Sequence, residues 1–155
     1  MPMVQEIWKK LNANERLASW GSLIVIASWL LGLVGSYGYG GGTGILGLLC
    51  ALGVLFVYYV KYGPNQSMKL PAPGPTIALG LAAVVGVTAI LSLLVVLPAI
   101  GVILAFGLGI VGVLSLVAYV AGGIMMLLGT WREYQAQPKA SPPATPPAPP
   151  APPAA

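Results

Sequence analysis

The stretch LASWGSLIVIASWLLGLVGS, Leu17 to Ser36, contains no Asp, Glu, Lys, Arg or His. As a helix it is about 30 Å long, which matches the hydrocarbon thickness of a bilayer. It opens an uncharged run that continues to Val60, and a second uncharged run extends from Leu70 to Trp131. Each run is more than twice the ~20 residues needed for one transmembrane helix. The whole chain of 155 residues is 57% hydrophobic and 6% charged, whereas a soluble domain carries roughly 25% charged residues. So few charges cannot coat a water-soluble surface, and the sequence reads as an integral membrane protein.

Internal punctuation divides the runs. YGYGGGTG, Tyr37 to Gly44, is a glycine-rich turn after the first span, costly to hold as helix. Ile45 to Tyr62 forms the second span and stops at Gly63-Pro64. The next break, GPNQSMKLPAPGP from Gly63 to Pro75, contains four prolines. Thr76 to Leu97 makes the third span, with Pro98 as its stop. The remaining apolar stretch is too long for one crossing, so residues 107–130 are assigned to the fourth span. Residues 99–106, AIGVILAF, become an apolar turn or an extra helical turn at the interface. The expected fold is therefore an all-α membrane protein with four transmembrane helices, in two hairpins, over residues 17–131. A short amphipathic segment covers 1–16, and a disordered Pro/Ala-rich tail covers 132–155.

Charge placement agrees with four crossings. Lys9, Lys10, Arg16, Lys61, Lys69, Arg132 and Lys139 are all the basic residues, and an even number of spans puts every one on the same side. Basic residues are retained in the cytoplasm, so both termini and the middle loop are expected there. Trp8, Trp20, Tyr58, Tyr59, Tyr62 and Trp131 fall near that side, and Tyr37 and Tyr39 near the other, at depths where amphipathic rings prefer to lie. A cleaved signal peptide would have an apolar core of about 7–15 residues. The first span exceeds that length and is expected to be retained.

Val4, Ile7, Trp8 and Leu11 recur at helical spacing opposite Glu6, Lys9, Lys10 and Asn12, which defines the amphipathic segment. Asn12 followed three residues later by Glu15 is a capping signal for the first span. Half of the residues from Pro138 onward are proline, so this tail samples extended polyproline II, as a solvated spacer or a docking point for a peripheral partner.

The chemistry is sparse. There is no histidine, one cysteine, and only three acidic residues, Glu6, Glu15 and Glu133. These glutamates flank the uncharged runs, and no carboxylate falls inside the first span. That absence separates the chain from small four-helix drug exporters, which it resembles in size and span count. Catalytic, cofactor and metal sites are not expected, and nucleic acid is not expected as a partner. The glycine-rich turn lacks the Gly-Lys-Ser/Thr ending of a phosphate loop. Ser22, Ser28, Thr88, Ser92 and Ser115 have no base to activate them and are expected to bond to helix backbone. Cys50 reads as a small packing residue.

The spans do contain small residues four apart: Ser28 and Gly32; Ala78, Ala82 and Gly86; Gly101, Ala105 and Gly109; Ala118 and Gly122. In lipid, helices associate through close backbone approach, which such stripes permit. They mark contacts within the bundle or with a partner's helices. The expected role is non-catalytic: an accessory subunit or self-assembling scaffold surrounded by lipid and bound to other membrane helices or to itself. A passive oligomeric pore, holin-like, or a small transporter without ionisable coupling groups is the alternative.

The opening NERLASWGSLIVIASWLLG, Asn14 to Gly32, followed by a short outer turn and paired spans, resembles small uncharacterised multi-span bacterial inner-membrane proteins. The resemblance covers about the first 35 residues. It implies a prokaryotic inner-membrane location and transfers no activity or site residues.

Overall fold

The computed structural model describes residues 2–34, 43–63, 69–105 and 109–137. All regular structure in these residues is helical. A short helix α1 (Pro2–Lys10) precedes α2 (Ala13–Val34), α3 (Thr43–Tyr62) and α4 (Gly74–Val96). After a 3₁₀ turn at Leu97–Ala99 come α5 (Ile100–Ala105) and α6 (Ile110–Ala136). Four of these helical runs are long and apolar enough to cross a membrane. Most of the outer turn expected at Tyr37–Gly44, part of the middle loop, and the tail from Pro138 lie outside the described residues.

The spans depart from the sequence boundaries where polar residues stay within helix. The first begins at Ala13, so the helix includes Asn14, Glu15 and Arg16. The last begins at Ile110 and runs on to Ala136, past Arg132 and Glu133. The α-helix of the third span ends at Val96, just before Pro98, and the chain goes on through a 3₁₀ segment in whose first turn Pro98 sits, where no backbone N–H is required. The apolar residues after it form α5. Gly109 then turns the chain into α6 with φ 93°, a left-handed conformation in which a Cβ is strained.

The four long helices form a ring in which α2 packs on α3 and α6, and α4 packs on the same two neighbours. Lys61 near the end of α3 reaches Glu15 near the start of α2 and Glu133 near the end of α6. At the other end, the Ser115 hydroxyl near the start of α6 donates to the Ser28 carbonyl late in α2 at 2.6 Å. Neighbours around the ring thus run in opposite directions.

The core is made of small side chains and the surface of large ones. Ala18, Val25, Ala51, Val54, Ala78, Ala82, Val85 and Met126 are fully buried, while Leu30, Leu33, Leu94, Val95 and Leu114 are each more than half exposed. Exposed apolar area on this scale requires hydrocarbon as solvent. The protein is membrane-embedded. Since lipid is as apolar as leucine, burying large aliphatics between helices brings little, and close backbone contact takes over.

The closest approach of helix backbones joins α2 and α6. A Cβ on Gly21 would lie 2.5 Å from the Met126 backbone nitrogen, and one on Gly129 would lie 2.6 Å from both Ala18 N and Asn14 O. Gly122 faces the Gly21 carbonyl in the same way. By contrast, a Cβ on Gly80 or Gly101 would meet nothing within 4 Å. Gly122→Ala and Gly129→Ala should each lower the unfolding free energy in detergent by about 1–3 kcal/mol, the usual cost of overpacking. Gly80→Ala should be neutral or slightly stabilising. Equal effects at Gly80 and Gly129 in a reversible unfolding assay would contradict this packing.

Candidate functional site

The residues with the most chemical content meet at one end of the ring. Glu15 lies in the first turn of α2, and the chain enters that helix through Asn12, whose backbone N–H donates to Glu15 Oε2 at 2.8 Å. This is half of a capping box, and it aims the carboxylate back along the helix start. Tyr58, Lys61 and Tyr62 are spaced three and four apart near the end of α3 and so share a face. Glu133 lies in the last turn of α6.

Lys61 bridges the two carboxylates. Its Nζ donates to Glu15 Oε1 at 2.5 Å and to Glu133 Oε1 at 3.1 Å. The Tyr62 hydroxyl donates to Glu15, 2.8 Å from one oxygen and 2.9 Å from the other. The Tyr58 hydroxyl donates to Glu133 Oε2 at 3.0 Å. Glu15 is fully buried and Glu133 is 8% exposed, whereas the Lys61 side chain is 38% exposed. Water therefore reaches the ammonium but hardly touches the anions. Burial of two carboxylates requires such partners, because an unpaired buried ion carries a penalty of several kcal/mol.

These two glutamates, read from the sequence as flanking charges, are instead interior residues linking α2, α3 and α6. Tyr58 and Tyr62, assigned to the membrane interface, give their hydroxyls to these carboxylates; Tyr58 is buried and Tyr62 half-buried. The other interface aromatics lie further out. Trp20, Tyr59 and Trp131 are exposed, and Trp8 is half-buried in an edge-to-face contact with Trp20 at 5.6 Å between ring centroids.

The small-residue stripes divide into inner and outer sets. Ser28, Ala78, Ala82 and Gly122 are buried between helices. Gly32, Gly86 and Ala118 are half-buried; Gly32 approaches Ser115 and Gly86 approaches Leu127. Gly101, Ala105 and Gly109 are exposed. Spacing by fours did not pick out Gly21 and Gly129, the positions of closest approach. The signal that finds Gly129 is the alternation of three and four: Gly122, Met126, Gly129 and Glu133 along α6 face Glu15, Ala18, Ser22 and Val25 along α2, and Gly21 lies beside Ser22 at the edge of that face.

The buried hydroxyls bond locally. Ser22 donates to the Ala18 carbonyl at 3.0 Å and Thr88 to the Val85 carbonyl at 2.9 Å, and the half-buried Ser92 donates to the Thr88 carbonyl at 2.8 Å. Thr88 also meets the Tyr119 hydroxyl at 2.7 Å. Among the described residues, every buried side-chain nitrogen and oxygen has a partner, and no three His, Cys, Asp or Glu side chains converge. Cys50 is buried in the core beside these helices. No known family matches the sequence, and neither a characterised protein nor a solved structure is significantly similar to it.

Lys61→Met removes the cation shared by two buried carboxyl groups and should destabilise the bundle, by less than the about 3–5 kcal/mol of a fully buried pair because Lys61 is partly solvated. The triple variant Lys61→Met, Glu15→Gln, Glu133→Gln should recover much of that loss. Denaturant titration in detergent measures both. A triple variant no more stable than Lys61→Met would show that the charges are not what matters there.

Proposed function

We propose that this protein is a non-catalytic, multi-pass membrane protein that acts by helix–helix association, as an accessory subunit or self-assembling scaffold. The supporting observation is the exposed ridge of Gly101 and Ala105 on α5, with Gly109 exposed at the entry to α6, while the inner stripes are used within the ring. Large apolar side chains, Val102 and Ile110, flank this ridge and are more than half exposed. Small residues that no neighbour covers offer a second helix the close approach that stabilises contact in lipid.

The bacterial inner membrane is the location that fits this reading. Lys9, Lys10, Arg16, Lys61, Lys69 and Arg132 belong to the ends that meet at the Glu15–Lys61–Glu133 cluster. With the positive-inside rule, this favours a cytoplasmic position for that end, both termini and the middle loop. The Pro-rich tail would extend from it toward peripheral partners.

A second reading, a small transporter or oligomeric pore, draws on the buried cluster, because ionisable groups among membrane helices mark ion pathways. Within one chain the packing opposes it, since fully buried Val25, Val54, Val85 and Met126 fill the centre of the ring.

Association is tested with a photo-cross-linker attached at Val102→Cys in a Cys50→Ala background, with Leu49→Cys on α3 as the control site. Adducts are expected at Val102, reduced several-fold by Gly101→Leu, and absent at Leu49. A bare monomer in mild detergent with no adduct at Val102 would remove the basis for association. The pore alternative is tested at Cys50, where a membrane-impermeant maleimide applied from either side should leave the native thiol unmodified. Rapid labelling would favour the pore.

A further inference from the structure

The cluster at the charged end contains two carboxylates and one ammonium. If all three groups are ionised, it carries one uncompensated negative charge on two carboxylates that are almost entirely buried. The groups that face it are few. From α2 come Glu15 and the Asn12 backbone N–H just ahead of it, from α3 Tyr58, Lys61 and Tyr62, and from α6 Glu133. The helix α4 has no ionisable side chain. Lys9, Lys10, Arg16, Lys69 and Arg132 are exposed at the same end, and Arg16 is turned toward the Lys9 carbonyl at 3.4 Å. No second cation among the described residues is paired with either carboxylate.

We propose that the cluster is a binding site for a single proton, held by Glu133, and that occupancy of this site fastens α6 to α2 and α3. Glu133 rather than Glu15 carries the proton because the two carboxyls sit at opposite helix poles. Glu15 is in the first turn of α2, where the helix dipole and a backbone N–H stabilise an anion, and it has the shorter contact to Lys61. Glu133 is in the last turn of α6, where the dipole is negative and disfavours an anion. With Glu133 protonated, Glu15 and Lys61 form a neutral pair and the interior balances. Deprotonation breaks the Glu133 O–H bond, the proton passes to water, and one negative charge stays behind. Water reaches the cluster beside the partly exposed Lys61, whose side chain is 38% accessible, and the proton leaves to water there.

The sign of the pH dependence follows. The folded bundle holds a proton that the unfolded chain releases in the ordinary carboxyl range, so stability falls as pH rises through the release. The chain has three acidic side chains in all, and Glu6 is exposed, so a protonated-carboxyl stretching band in the infrared is readily assigned. At neutral pH the purified full-length protein should show that band, and alkaline buffer should abolish it together with a fall in Tm. Glu133→Gln should lack the band and keep a flat Tm over the same range. In Glu15→Gln the remaining Glu133 and Lys61 balance each other, so the neutral-pH band should also disappear. Absence of the band from the native protein at neutral pH, or its persistence in either variant, overturns the proposal. So does a Tm governed by sodium concentration in place of pH, which would assign charge compensation to a metal cation.

Discussion

Contact between the backbones of α2 and α6 is the constraint on which the rest of the bundle depends. In water, a helix pair is held by removal of apolar surface, and large side chains serve best. In lipid that force vanishes, and the remaining attraction grows as backbones approach. Gly21, Gly122 and Gly129 allow approach that a single methyl would block. Once these two helices are in place, the Ser28–Ser115 and Ser22–Met126 contacts align them along their length. The same alignment brings Glu15 and Glu133 within reach of one lysine. α4 closes the ring through Ala78, Ala82, Val85 and Ala89, small enough to let it lie against α3 and α6.

The number of membrane-length helices was legible in the sequence because the information is one-dimensional. A bilayer demands a minimum length of uncharged chain, and glycine or proline clusters divide the long runs. Helix ends were less legible, and at the charged end the reason is that a helix continues past its uncharged run when its polar end has partners. Glu15 and Glu133 keep α2 and α6 helical beyond the uncharged runs because their carboxylates are bound. Pro98 carried a true local signal, a missing N–H, but the first turn of a 3₁₀ segment does not need that group.

The polar cluster could not be read from spacing in a single stretch. Its acids come from the first turn of one span and the last turn of another, with the bridging lysine on a third. Sequence separation gave no hint that they meet. Two local signals were nevertheless present. Asn12 and Glu15 form the capping pair, which fixes where that carboxylate points, and Tyr58, Lys61 and Tyr62 form a polar face on an otherwise apolar helix. A lysine and two tyrosines on one face, near a helix end, call for an anion from a neighbour. Asking which acid in the chain lay at the same depth would have led to Glu15 and Glu133.

The two ends of the molecule are therefore built on different physics. At the charged end, α2, α3 and α6 are joined by directional bonds among ionised and hydroxyl groups, whose strength changes with the charge each group carries. Toward the other end, the described residues contain no ionisable side chain, and contact between α2 and α6 comes down to small residues and the Ser28–Ser115 bond. There α4 passes through a 3₁₀ turn into α5, and Gly101, Val102, Ala105, Gly109 and Ile110 are exposed. A change in charge at the cluster alters how firmly α6 is fastened at one end only. α6 is a continuous helix from Ile110 to Ala136, so one element carries Glu133 at the charged end and Ser115 toward the other.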